Sequence, residues 1–100
     1  MIEVTVDQLA EAVENMHGGK ACFVEAEEIR EFSGERIAWQ GIVHIFDLAG
    51  HPTATRAYAW SSPIEGSDKR RFYAVLHVPP VSSPADAVRA AIVADHKARR

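Results

Sequence analysis

Apolar positions recur with helical spacing at both ends of the chain and with strand spacing between them. Leu9, Ala12, Val13 and Met16 fall at i, i+3, i+4 and i+7, the stripe of an amphipathic helix. Thr5-Val6-Asp7-Gln8 fits a capping box, and Gly18-Gly19 supplies a stop, so the pattern predicts a helix over 5–17. From Lys20 the spacing becomes strand-like, apolar at first and then strongly charged through Glu27, Glu28, Arg30 and Glu31. Ser33-Gly34-Glu35 reads as a turn. Ile37 to Leu48 is the most apolar run; Ile42, Val43, Ile45 and Phe46 are bulky on both faces, as a central strand requires.

Ala49-Gly50-His51-Pro52 closes a hairpin into a third strand, Thr53 to Trp60. Residues 61–69 carry Ser-Ser-Pro and Gly-Ser-Asp and read as a loop. A fourth strand runs from Arg71 to Val78 and ends at Pro79-Pro80, which lack the amide donors a ladder needs. Ser83, Pro84 and Asp86 open a second helix, with Ala87, Val88, Ala91 and Ile92 as its apolar stripe and Lys97, Arg99 and Arg100 at its negative end. Short connections imply an antiparallel meander. The expected fold is α+β, a two-layer sandwich of order α-β-β-β-β-α with both helices on one face, one compact domain over 1–100.

Strand alternation sorts the side chains. Phe72, Ala74, Leu76 and Val78 should face the helices and receive Val88, Ala91 and Ile92. Small Ala57 and Ala59 would let a helix approach. Folding the loop about residues 65 and 66 sets Tyr58 opposite Tyr73 and Trp60 opposite Arg71. Arg56, Tyr58, Trp60, Arg71, Tyr73 and His77 then gather on the face without helices. Trp39 continues it, and Gly41 leaves room for an aromatic neighbour. Aromatics with Arg at the margin have the composition of an interface hot spot. The alternative is cross-strand aromatic pairs that stabilise the sheet, or a loop folded over them.

Composition narrows the function classes. At 47% apolar and 25% charged, the chain is an ordinary globular domain. No apolar run approaches the roughly 18 residues of a membrane span, and no secretory signal opens the chain, so a cytoplasmic location is expected. Residues 1–35 carry nine acids against two bases, a net of −7; residues 36–100 carry nine bases against five acids, a net of +4. Such asymmetry suits docking within the fold or between two copies. Nucleic-acid binding is not expected, because phosphate affinity needs concentrated Lys and Arg.

Catalytic signatures are absent. His44, Asp47 and His51 match no zinc spacing, and His44 and Asp47 should point to opposite faces, so no metal and no cofactor is expected. Cys22 opens an apolar strand and reads as buried packing. Ser61 and Ser62 lie in no nucleophile elbow. The expected function is a non-catalytic binding or adaptor module that contacts itself or a protein partner through Trp39, Arg56, Tyr58, Trp60, Arg71, Tyr73 and His77. The alternative is a small-ligand-binding protein or small enzyme with its pocket between that face and the 61–69 loop.

Overall fold

The computed structural model describes residues 4–64 and 66–98; the terminal Arg99 and Arg100 lie outside them. The elements run α1 (Val6–His17), β1 (Lys20–Ser33), β2 (Arg36–Ala49), β3 (Arg56–Pro63), β4 (Arg70–Leu76) and α2 (Pro84–Ala98). The strands form one antiparallel sheet in the order β1-β2-β3-β4. The α+β class and the α-β-β-β-β-α order are those expected from the sequence.

The capping box forms as the sequence predicts. Thr5 Oγ1 accepts from the Gln8 amide at 3.1 Å, and Gln8 Oε1 accepts from the Thr5 amide at 2.8 Å. Behind α1 the chain turns at once into β1, and Gly19 makes that possible. Its φ is +81°, and a Cβ there would lie 2.8 Å from the Ala49 carbonyl oxygen. Glu14 Oε2 then accepts from the Ala21 amide at 2.8 Å, tying the helix end to the strand. Met16, expected on the inner stripe, is exposed. His17 takes the inward position of the last turn, where Nε2 donates to the Ala74 carbonyl at 2.7 Å.

The layering differs from the two-layer expectation. Leu9 and Val13 of α1 pack with Phe46, Leu48, Ala57, Ala59, Phe72 and Ala74. Ala87 and Val88 of α2 pack with Val43, Ile45, Tyr58, Trp60, Tyr73 and Val75. One helix therefore covers each face, and α2 does not dock on Phe72, Ala74 and Leu76. The physical reason lies in β3, where Ala57, Tyr58, Ala59 and Trp60 are all buried. Both faces of the sheet centre are apolar, and leaving either in water forfeits roughly 25 cal/mol per Å². The small alanines admit α1, and the aromatic face takes α2.

Register departs from expectation by two residues. Trp60 lies opposite Tyr73 and Tyr58 opposite Val75. The turn is centred one residue later, with the Ile64 amide donating to the Lys69 carbonyl. A shift of two preserves every side chain's face, so the expected grouping survives.

The β1–β2 hairpin outreaches the rest of the sheet. β1 and β2 pair from Lys20↔Ala49 to Ser33↔Arg36, whereas β3 pairs with β2 only over His44–Asp47. The outer half of the hairpin is thus a two-stranded ribbon. Among the described residues no helix is long and apolar enough to cross a membrane.

Candidate functional site

The seven residues expected to form a surface do share the α2 face, but α2 lies over their centre. Trp60 is 2% exposed and Tyr58 likewise. Trp60 stacks on Tyr73 and meets Trp39 edge-on, with centroids 5.2 and 6.0 Å apart. Trp39 Nε1 donates to Ser62 Oγ at 3.3 Å, and Tyr73 Oη donates to Asp95 Oδ2 of α2 at 2.8 Å. Arg71 reaches Asp95 Oδ1 at 3.1 Å and lies over the Tyr73 ring, 5.1 Å from its centroid. The expected clearance at Gly41 is real: a Cβ there would stand 2.8 Å from the Trp39 ring. Tyr58 and Trp60 are core, with Trp39 and Tyr73 partly buried against them and α2 supplying the cover.

Arg56 and His77 sit at the far end of the same face. Arg56, half-buried, pairs with the exposed Asp47 at 3.5 Å. The Tyr58 hydroxyl lies 2.5 Å from His77 Nδ1. Burial pushes the Tyr58 hydroxyl above the ordinary tyrosine value; Arg56 opposes the rise, and Asp86 and Glu27 add to it. A proton on this hydroxyl is therefore held, and Tyr58 acts as a hydrogen-bonding core residue.

The cleft bounded by Trp39, Trp60, Ser62, Tyr73, Val88 and Asp95 has a volume of about 80 Å³. Ligand sites are usually roughly 300–1,000 Å³.

His44 and Asp47 lie on opposite faces: His44 beside Phe23, with ring centroids 5.7 Å apart, and Asp47 against Arg56. His51 Nδ1 accepts from the Thr53 and Ala54 amides at 3.1 and 3.0 Å, which shapes the β2–β3 turn. Among the described residues no three metal-ligating side chains gather. Cys22, expected inside, is exposed because β1 is an edge strand.

A different surface is open. Phe23, Ile42, Phe32 and Ile37 are 46–57% exposed, and pairing places them on the α1 face of the hairpin. Beside them runs β1, whose outer edge has no neighbouring strand among the described residues. Sequence reasoning missed this surface because bulky residues in a strand look the same whether or not a helix reaches them. The visible signal was the charged half of β1, a common mark of an edge.

The chain matches no family model, no curated protein and no solved structure.

Proposed function

We propose that this protein is a non-catalytic binding module that pairs with a second copy of itself through the outer edge of β1. The observation that carries the reading is the 14-residue edge strand beside exposed Phe23, Phe32, Ile37 and Ile42. A two-stranded ribbon is marginal in water, and a long exposed edge is a template for strand addition.

Side-chain chemistry selects the partner and the register. Directly opposed residues of an antiparallel pair share a face, so a two-fold pairing centres on one residue. Centring on Glu27, Glu28 or Arg30 sets a charge against itself. Centring on Ile29 sets Glu28 against Arg30 of the second copy twice, and Ala26 against Phe32 twice. It also opposes Glu27 and Glu31, but Glu31 is already neutralised by Arg89 of α2. That same flank of α2 carries a shallow groove along Ala90, Val93 and Ala94, which a second α2 across the two-fold would cover.

Support for a non-catalytic role is the mutual pairing of the polar groups on the α2 face: Arg71 and Tyr73 on Asp95, Trp39 on Ser62, Arg56 on Asp47. Sedimentation tests the reading. The expected mass is twice the 11.0 kDa of one chain. Glu28→Arg and Arg30→Glu each shift the equilibrium toward monomer, and the double reversal restores the dimer. A wild type that stays monomeric at high micromolar concentration overturns the proposal.

A further inference from the structure

A cavity of about 330 Å³ opens on the α1 face between α1 and the sheet, lined by Val4, Leu9, Ile42, His44, Ser61 and Arg70. Three of these are apolar and three are hydrogen-bonding; among the described lining residues none is acidic. The volume falls at the lower end of ligand sites, roughly 300–1,000 Å³.

The polar groups are fixed but not used up. Arg70 donates through Nε to Ser61 Oγ at 2.8 Å and through one terminal nitrogen to the Ser61 carbonyl at 3.1 Å. Five N–H donors are available on a guanidinium, so three remain. Arg70 has no carboxylate partner among the described residues. Ser61 Oγ accepts from Arg70 and keeps its own hydrogen to donate. Among the described residues His44 Nδ1, which is buried, has no hydrogen-bond partner, a state that native interiors rarely leave unexplained.

We propose that this cavity binds a small organic carboxylate, its oxygens held by Arg70 and Ser61 and its apolar end laid against Leu9 and Ile42. A planar guanidinium matches the two carboxylate oxygens, and among the described lining residues no acid competes for it. Burial holds the His44 ring below the ordinary histidine value, hence neutral near pH 7. A neutral ring offers one donor and one acceptor, so a polar atom of the ligand can satisfy it. Ile42 is shared with the apolar surface beside β1, whereas Val4, Leu9, His44, Ser61 and Arg70 lie outside that surface, and the site does not depend on self-association.

The probes are benzoate, inorganic phosphate and benzyl alcohol, each titrated into the full chain and followed by amide NMR shifts. Benzoate is expected to saturate shifts at Leu9, Ile42, Ser61 and Arg70. Arg70→Ala should weaken it by at least about tenfold, the usual worth of a charge-assisted hydrogen bond. Ile42→Asp, at an exposed position, should abolish it by placing a like charge in the wall. Saturation by phosphate with equal affinity would show that the apolar wall contributes nothing and overturn the proposal. Equal binding of benzyl alcohol, or benzoate binding untouched by both variants, overturns it as well.

Discussion

Trp60 lies nearly parallel to Tyr73, with ring planes 9° apart, directly across the β3–β4 ladder. Stacking of this kind adds roughly 0.5–1.5 kcal/mol to the area buried. Here the pair also forms the floor on which α2 rests. Trp60→Ala should cost about 3–5 kcal/mol in chemical denaturation, the range for truncating a large core aromatic. Its effect on the mass of the proposed dimer should be secondary to unfolding. If Trp60→Ala separates dimers while leaving the denaturation midpoint unchanged, the residue is a contact and not core.

Val88 and Ile92 separate the buried from the open side of α2. Val88 is 1% exposed and Ile92 37%. Val88→Ala should lower stability by about 1–3 kcal/mol, and Ile92→Ala by less than a fully buried Ile would, about 2–5 kcal/mol. Urea titration of both variants checks the order. The reverse order would mean that α2 is rotated on the sheet.

Gly41 gives a counter-intuitive substitution. Ala or Val ordinarily suits a strand better than Gly. At this position the new Cβ meets the Trp39 ring at 2.8 Å, so the indole must move and Nε1 must leave Ser62. Gly41→Ala should therefore destabilise, by about 1–3 kcal/mol, with a change in tryptophan fluorescence. An unchanged melting temperature with unchanged fluorescence would show that the Trp39 ring sits elsewhere.

His44 should make stability depend on pH below neutrality. Burial lowers its value in the folded chain from the ordinary 6.5. The unfolded chain thus takes up the proton first. The stabilising contribution is present above about 6.5 and is lost as pH falls through the folded value. Denaturation midpoints measured from pH 7.5 to 5 should fall, and His44→Leu should flatten that part of the curve. A slope identical in wild type and His44→Leu would assign the effect to other groups.

Much of this architecture was legible in local residue patterns. Thr5 and Gln8 announce the start of α1, and period-two alternation places Tyr58, Trp60 and Tyr73 on one face. Alternation survives an error in the turn, because moving the turn centre by one residue shifts the register by two. The side each helix takes was not legible. The connection from Leu76 to Pro84 is long enough to reach either face, and only the two-sided burial of β3 decides it. The open patch was also hidden, since Ile42 belongs to a central strand but lies past the end of its pairing with β3.

The burial of Tyr58 and Trp60 beneath α2 has a consequence for synthesis. The four strands are neighbours in sequence as well as in space, so they can pair as they leave the ribosome. Their aromatic face stays wet until Ala87 and Val88 of α2 emerge. Until then the nascent sheet shows water an apolar face and a long bare edge together, the combination that invites aggregation. A stop codon before Pro84 should therefore yield inclusion bodies rather than a smaller folded protein.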